Sequence, residues 1–170
     1  MGIYFLIAFS ICLFSYIFHT ITHYFEFKGR KSSKKFKILC SGIIDLGHLA
    51  FIFMIVLDPV KMNIPYALLF GLLIGILGLV LFILAVKEKK GFYELSHLIK
   101  TGVYSKIRHP MYLGLILVYV GFPLAFGSIL TLLSALIWVS LILLWKYWEE
   151  KELEEKFGKE YLSYRKRTIF

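Results

Sequence analysis

The sequence is short of cysteine and of charge, and each shortage excludes a class of protein. Of its two cysteines, Cys12 lies in the middle of the first long apolar run, and Cys40 lies near the basic end of the second. Because their expected depths in a membrane differ, we predict neither a disulfide nor a redox motif. Charged residues make up 18% of the chain and hydrophobic residues 59%, and the mean hydropathy is +0.75. This composition excludes a soluble domain and indicates a polytopic membrane protein.

Acidic residues are fewer than basic ones, 11 against 20, which gives a net charge of +9. Such a charge can indicate nucleic-acid binding, but the basic residues form three clusters, at 28–37, 87–108 and 146–167. Only Lys61 lies elsewhere, so 19 of the 20 can lie on one side of a membrane. This is the positive-inside pattern, which predicts that the three basic clusters lie on the cytoplasmic side, beside anionic headgroups. We therefore predict no nucleic-acid partner.

Apolar runs of roughly membrane-spanning length predict an all-α polytopic helix bundle with five transmembrane helices. The runs cover residues 3–25, 38–57, 64–86, 111–126 and 128–145. Five crossings predict an N-terminus outside and a cytoplasmic C-terminus, and the lack of charge before the first run predicts an uncleaved helix. The last two runs are short and nearly adjacent, which predicts a hairpin. We treat 1–170 as one integral membrane domain, with a three-helix scaffold at 1–86 and a core at 87–170.

The segment 149–166 is predicted to form an amphipathic helix at the C-terminal end. Leu153, Phe157 and Tyr161 recur at i, i+4 and i+8, so they lie on one face with charged residues around them. Gly158 is expected to weaken or bend this helix.

Two patterns in the first half have a structural and a functional interpretation. His19 and His23 share one helix face, and with His48 they form a set that can ligate a metal. Histidines of this kind are more often satisfied by hydrogen bonds between helices, and we predict no metal. The third run carries glycines at spacings that favour close helix packing. These are Gly71, Gly75 and Gly78.

A polar stretch at 101–114, TGVYSKIRHPMYLG, leads directly into the fourth apolar run. Pro110 suits the first position of a helix, and its ring disfavours helical geometry at His109. Arg108, His109 and Tyr112 are therefore predicted to cluster at the water-facing start of that helix. The alternative is that Arg108 and Tyr112 are interface anchors and that Pro110 only ends the loop.

Together with Glu149-Glu150 and the later Phe157-Gly158-Lys-Glu-Tyr161, this stretch resembles the isoprenylcysteine carboxyl methyltransferase and phospholipid methyltransferase superfamily. The resemblance covers roughly residues 90–167 and implies an integral membrane methyltransferase that uses S-adenosylmethionine on a lipid-like or prenylated acceptor. It also implies a cofactor pocket. The residues of that pocket are His97, Leu98, Gly102, Tyr104, His109, Pro110, Tyr112, Gly114, Glu149 and Glu150.

The chemistry of these side chains agrees with such a cofactor. The sulfonium and ammonium of S-adenosylmethionine suit the carboxylates of Glu149 and Glu150, although a solvated acidic face is the alternative for that pair. Methyl transfer is an in-line displacement that needs no metal, only positioning and exclusion of water. A carboxylate acceptor needs no base, whereas an amine must be deprotonated, for which His109 and Glu150 are the candidates.

The sequence departs from this superfamily one helical turn before the glutamate pair. Related carboxyl methyltransferases carry an arginine there, whereas this chain has Trp145-Lys146-Tyr147-Trp148. Lys146 is the candidate substitute, but lysine lacks the planar fork that grips a carboxylate. The sequence therefore predicts that a free prenylcysteine carboxylate is a poor acceptor. Trp145 and Trp148, with Arg108, are predicted to border the acceptor, and the alternative for the tryptophans is an aromatic belt.

Two other functions remain open from the sequence. Sterol reductases share a related C-terminal membrane module that binds a nicotinamide cofactor, although their corresponding motif usually lacks the proline after the histidine. A non-enzymatic membrane protein that keeps the cofactor fold is the other alternative. The identity of the acceptor and the oligomeric state do not follow from the sequence.

Overall fold

The structure, a computed structural model, describes residues 2–30, 32–89 and 97–170. Five helices account for most of these residues, and no strand occurs among them, so the predicted all-α class is confirmed. The helices are α1 (Gly2–Phe27), α2 (Lys34–Leu57), α3 (Ala67–Lys89), α4 (Pro110–Ala125) and α5 (Ile129–Arg165). A short 3-10 turn, Gly102–Ser105, precedes α4.

Four of the five helices, α1, α2, α3 and α5, are long and apolar enough to cross a membrane. The exception is α4, whose 16 residues correspond to about 24 Å of helix. Five crossings, and with them the orientation of the termini, therefore stay a prediction. The three residues between α4 and α5 include Gly127, whose φ of +60° suits a residue without a side chain.

Glycines bring α3 and α4 into direct backbone contact, which confirms the predicted packing role of the α3 glycines. A Cβ added to Gly71 would lie 2.3 Å from the backbone nitrogen of Ala125, and one added to Gly78 would lie 2.6 Å from the carbonyl oxygen of Gly114. On the α4 side, a Cβ on Gly121 would lie 2.3 Å from the nitrogen of Gly75. The contact between α3 and α4 is the most extensive between helices in the described part of the chain. The predicted boundary between scaffold and core, at residue 86, therefore separates two helices that pack tightly against each other.

The last helix combines two predicted elements. The fifth apolar run, 128–145, and the amphipathic segment from Glu149 join without a break, and α5 is regular through both as far as Phe157. Continuity follows from the sequence, because residues 146–157 contain neither proline nor glycine. Gly158 departs from helical geometry, with φ +51° and ψ −123°, so the predicted bend is confirmed.

The bend at Gly158 folds the end of α5 back toward the bundle. In a straight helix, Glu150 and Arg165 would lie about 22 Å apart, yet their side chains approach to 3.9 Å. The predicted apolar face packs inward: Leu153 and Tyr161 form a small core with Leu98 and Tyr164, and Phe157 packs beside it. This folded-back segment therefore covers the end of the bundle where α4 begins.

At the other end of the bundle, Asp58 joins the end of α2 to the start of α5. Its carboxylate is fully buried and accepts hydrogen bonds from the backbone N–H of Val60 at 2.9 Å, and from the N–H and hydroxyl of Thr131, both at 2.8 Å. The first N–H groups of a helix lack partners within the helix, and Asp58 satisfies one of them. Nearby, Lys61 donates to the carbonyl of Ile55 at 2.5 Å and to the hydroxyl of Ser128 at 2.7 Å.

Candidate active site

The candidate site forms where α4 begins and where α5 passes Glu149. The tight connection between α4 and α5 makes the two helices antiparallel, so the first turn of α4 lies beside the middle of α5. Pro110 occupies the first position of α4, and His109 before it has non-helical geometry, as the sequence predicts. His109 is only 4% exposed, so its imidazole points into the protein and meets the glutamate pair.

Glu149 is held by groups from three different elements. Its carboxylate lies 3.7 Å from Nδ1 of His109 and 4.0 Å from Nζ of Lys89 at the end of α3. Tyr112 is a hydrogen-bond partner of the same carboxylate, and its ring stacks on His109 with centroids 5.7 Å apart. The predicted grouping of His109, Tyr112 and Glu149 is therefore present in the structure.

Glu150 is surrounded by four potential cations. The distances are 3.3 Å to Nε of Arg108, 3.4 Å to Nε2 of His109, 3.6 Å to Nζ of Lys146 and 3.9 Å to Nη2 of Arg165. One carboxylate cannot neutralise four cations, so this part of the site carries a surplus of positive charge. The surplus favours an anionic group next to Glu150.

The protonation of His109 depends on these two carboxylates. Burial on its own lowers the pKa of His109, but Glu149 and Glu150 outweigh burial and raise the pKa above its ordinary value. The raised pKa favours the protonated imidazole, whose charge attracts both carboxylates. His109 is therefore suited to positioning Glu149 and Glu150.

Arg108 is fixed by the C-terminal tail as well as by Glu150. Its Nη1 donates to the carbonyl of Thr168 at 2.7 Å and to that of Arg165 at 3.1 Å. The backbone of the tail also pairs with this loop. The Arg108 N–H donates to the carbonyl of Ile169 at 3.0 Å, and the Ile169 N–H donates to the carbonyl of Lys106 at 2.9 Å. The loop before α4 and the tail therefore form one layer over the site.

A small cavity of about 30 Å³ lies beneath this layer. Its lining combines a carboxylate, cations, phenols and aliphatic side chains: Lys89, Leu98, Ile99, Tyr104, Arg108, Glu149, Leu153, Tyr161 and Tyr164. That volume holds one or two water molecules. The volume concerns described residues only, and the segment 90–96, which borders Lys89 and His97, lies outside them.

The remaining predicted cofactor residues fall into two groups. Leu98 and Tyr104 line the cavity, and the carbonyl of Tyr104 accepts a hydrogen bond of 2.7 Å from the hydroxyl of Tyr164. His97 is exposed and is not among the lining residues. Gly102 lies against the end of α3, where an added Cβ would be 2.2 Å from the Glu88 carboxylate. Gly114 lies against Gly78, so the structure gives it a packing role instead of a place in the cavity.

The two tryptophans predicted to border the acceptor lie between α5 and α1. Trp145 is 3% exposed, and its indole N–H donates to Oγ1 of Thr20 at 2.9 Å. Trp148 is 9% exposed and packs on Phe27, with ring centroids 6.0 Å apart. An aromatic belt facing headgroups needs exposed rings, so the structure does not support that alternative. A contact of these rings with the acceptor stays a prediction.

Sequence reasoning did not place two cations beside the glutamate pair. Lys89 reaches Glu149 from the last turn of α3, and Arg165 reaches Glu150 from the folded-back end of α5. From the sequence, Lys89 was only a member of a basic cluster, and Arg165 was only an alternative to Lys146 for holding an acceptor carboxylate. The bend at Gly158 was the available signal for Arg165, because a helix that reverses there returns its end to the glutamate pair.

Comparisons with known proteins bear on this site directly. Residues 66–160, which include the whole α3–α4 pair and Glu149-Glu150, match the phospholipid methyltransferase family. The chain is also 44% identical over 91 residues to the protein-S-isoprenylcysteine O-methyltransferase of the yeast Saccharomyces cerevisiae, a match that covers 49% of this chain and 34% of the yeast protein. The match thus spans about a third of that relative's length. No solved structure matches the chain.

The family match covers more than half of the chain and contains both parts of the site, the Arg108–Tyr112 motif and the glutamate pair. The apolar helices and the family agree with each other, because a lipid-modifying enzyme needs access to the bilayer. The chain belongs to the phospholipid methyltransferase family of membrane proteins.

Proposed function

We propose that this protein transfers a methyl group from S-adenosylmethionine to a carboxylate of a lipid-like, prenylated acceptor at the cytoplasmic membrane surface. The observation that carries the proposal is the convergence of Glu149 and Glu150 on His109, beside a cavity and under a cationic layer. Membership of the family supports methyl transfer. The yeast relative, named an isoprenylcysteine O-methyltransferase, supports a carboxylate as the acceptor.

The residues around the cavity fit the proposed cofactor in chemical type. Glu149 is suited to a positively charged group, and Tyr104, Tyr161 and Tyr164 offer aromatic faces and hydroxyls for an adenosine. The Tyr161 hydroxyl is buried without a hydrogen-bond partner among the described residues. A buried polar atom of this kind is expected to find a partner when a ligand binds. When bound, S-adenosylmethionine supplies a methyl group on a positively charged sulfur.

The chain's own residues then have three tasks. His109 holds Glu149 and Glu150 side by side, and Tyr112 fixes Glu149 from below. Arg108 and Lys146, near Glu150, are suited to hold an acceptor carboxylate. The layer formed by the loop before α4 and the tail excludes water from between them. In this proposal Glu150 and His109 position the reacting groups, and no residue has to remove a proton.

The charge around Glu150 favours a carboxylate over an amine. A protonated amine would enter a region that already holds Arg108, Lys146 and Arg165 and would be repelled. The sequence predicts that a free prenylcysteine carboxylate is a poor substrate, because no arginine lies one turn before the glutamate pair. That prediction is still untested. The reason for it is weaker in the structure, because the guanidinium groups of Arg108 and Arg165 reach the site from other elements.

Methyl transfer by the purified protein in lipid vesicles tests the proposal. With radiolabelled S-adenosylmethionine, a prenylcysteine analogue with a free carboxylate should become labelled, and the matched carboxamide should not. Glu150→Gln should lose the activity, and Glu154→Gln, one turn along the same helix, should keep it. Labelling of an amine headgroup instead of the carboxylate would overturn the choice of acceptor.

A titration of the purified protein separates this proposal from a nicotinamide-dependent reductase and from a non-enzymatic protein. S-adenosylmethionine should bind saturably and NADPH should not. Saturable NADPH binding would support the reductase, and cofactor binding without any labelled product across lipid acceptors would support the non-enzymatic alternative.

The proposed location of the site is tested by the orientation of the C-terminus. The three basic clusters predict that it is cytoplasmic. A reporter that is active only outside the cytoplasm, fused after Phe170, should give no signal. A strong signal would contradict the topology and the access of a soluble cofactor to the site.

A further inference from the structure

A second group of cations lies outside the cavity, on the folded-back end of α5. The apolar run of α5 ends at Trp145, and Lys146, Glu149 and Glu150 follow it along the helix. The side chain of Arg165 is 3.9 Å from Glu150, and Lys166 follows Arg165 in the chain. The bend at Gly158 thus returns both cations to the polar part of α5 next to its apolar run, where lipid headgroups are expected.

These cations line an open cleft of about 450 Å³, with Arg108 and Leu162 as the other lining residues. Arg108 also lines the small cavity beside Glu149, so the two spaces share this residue. No acid is among the four residues that line the cleft. The nearest carboxylate to Arg165 in the described chain is Glu150, which is shared with Arg108, His109 and Lys146.

We propose that this cleft binds the phosphate of an anionic phospholipid from the surrounding leaflet. A phosphate oxygen is a strong acceptor for guanidinium and ammonium groups, and three such groups border the cleft. Arg108 is already oriented, because its Nη1 is held by the carbonyls of Thr168 and Arg165. Arg165 has a half-exposed side chain, and its 3.9 Å distance from Glu150 is too long for a hydrogen bond, so its donors remain available to a ligand.

Apolar side chains next to the cations favour a lipid over a soluble phosphate. Leu162, which lines the cleft, is 39% exposed, and Ile169 on the adjacent tail is 67% exposed. In water these surfaces would be unfavourable, whereas the acyl chains of a phospholipid would cover them. A phosphate with attached acyl chains therefore satisfies both features of the cleft, and free phosphate satisfies only one. The cleft shares Arg108 with the proposed acceptor site, but Arg165 and Lys166 line the cleft only. The lipid proposal does not depend on methyl transfer.

The proposal is tested by counting bound lipids on the intact protein with native mass spectrometry after release from nanodiscs. We expect the wild type to retain phosphatidylglycerol in preference to phosphatidylcholine. Lys166→Gln and Arg165→Gln should each weaken phosphatidylglycerol binding by about fivefold, since each removes one cation near the membrane surface. The double variant should lose the preference.

Arg167→Gln is the matched control. It removes the same charge from the next residue, but Arg167 is not among the residues that line the cleft, and its Nε donates to the carbonyl of Ser163. Equal loss of lipid in Arg167→Gln would show a general effect of charge and would overturn the proposal. Retention of the preference in the double variant, with unchanged helicity by circular dichroism, would overturn it too.

Two competitors identify the ligand. Inorganic phosphate at the same concentration should not displace phosphatidylglycerol, and displacement by it would mean that the cleft recognises phosphate without the lipid. A prenylcysteine analogue should leave the lipid bound as well. Displacement by that analogue would assign the cleft to the methyl acceptor and would end the proposal of a separate lipid site.

Discussion

The carboxylates at the two ends of the bundle have different surroundings. Asp58 is fully buried, and three donors from the chain approach it to between 2.8 and 2.9 Å. Glu149 and Glu150 keep 17% and 14% of their side chains exposed, and the cations around them lie 3.3 to 4.0 Å away. Asp58 is satisfied by neutral donors at short distances, whereas the groups around the glutamates are charged and lie further away.

This difference separates a carboxylate that holds the fold from a pair available to a ligand. Short hydrogen bonds from backbone groups leave Asp58 nothing further to bind, and removing it leaves buried donors without partners. Around Glu149 and Glu150, by contrast, Lys89, Lys146 and Arg165 are long side chains at 3.6 to 4.0 Å, a distance that leaves room for a ligand to replace them. Four predictions test this contrast, from the largest expected effect to the smallest.

Asp58→Asn should destabilise the protein by about 3 kcal/mol, because buried N–H and hydroxyl donors lose a charged acceptor. Asp45→Asn is the matched control, since Asp45 is an exposed carboxylate on the same helix. We expect the control to change the unfolding free energy by less than about 0.5 kcal/mol. Thermal unfolding in detergent measures both, and affinity for S-adenosylmethionine should stay unchanged in the folded fraction. Equal unfolding free energies for the two variants would contradict a structural role for Asp58.

Glu150→Gln and Tyr112→Ala should each weaken binding of S-adenosylmethionine about ten- to a hundredfold, from the loss of roughly 1.5–3 kcal/mol for one charge-assisted contact. Glu150→Gln should leave the melting temperature almost unchanged, unlike Asp58→Asn. Calorimetric titration of the folded variants is the measurement, with Glu154→Gln as control. Unchanged affinity in both variants would mean that the cofactor binds elsewhere.

The raised pKa of His109 predicts a pH-dependent contribution to stability. A group with a folded pKa above its unfolded value of about 6.5 stabilises fully below that value and loses its contribution as the pH rises through the folded pKa. The melting temperature of the wild type relative to His109→Gln should therefore be highest near pH 6 and fall toward pH 9. In the background of Glu149→Gln plus Glu150→Gln this slope should reverse, because burial alone then lowers the pKa of His109. A slope that persists there would assign the effect to another group.

Lys146→Arg should give the smallest change, an improvement of about two- to fivefold in the KM of a prenylcysteine carboxylate, since a second hydrogen bond is worth about 0.5–1 kcal/mol. An arginine placed one residue earlier, by Trp145→Arg, would instead bury a charge between α5 and α1, because Trp145 is only 3% exposed. Affinity for S-adenosylmethionine should not change. Lys151→Arg, on an exposed part of α5, is the control. A KM that does not move would indicate that Lys146 does not contact the acceptor.

The fold and the centre of the site could be predicted from the sequence because their signals are local. Long apolar runs, the proline after His109 and the spacing of the α3 glycines each depend on residues close in the chain. The grouping of His109, Tyr112 and Glu149 also followed, since a short connection between α4 and α5 brings their ends together. Family resemblance then assigned the chemistry to those residues.

The rest depends on contacts between distant residues, which leave no pattern in the sequence. Asp58 is 73 residues from Thr131, and its sequence context, Asp-Pro, indicated only the end of a helix. Lys89 and Arg165 reach the glutamates through side chains whose direction depends on how α3 and the end of α5 are placed. From the sequence, Trp145 and Trp148 look like an aromatic belt at the membrane interface. Only their packing against α1 shows that they are buried instead.

The glycine contact between α3 and α4 also determines which parts of the protein can move. With backbone against backbone at Gly71, Gly78 and Gly121, these helices have little room to slide past each other. We therefore expect them to move as one rigid body. Enlargement of the small cavity is then expected to come from the folded-back end of α5, which contributes Leu153, Tyr161 and Tyr164 to its lining. Ligand access is thus expected to depend on that segment, while the α3–α4 pair stays fixed.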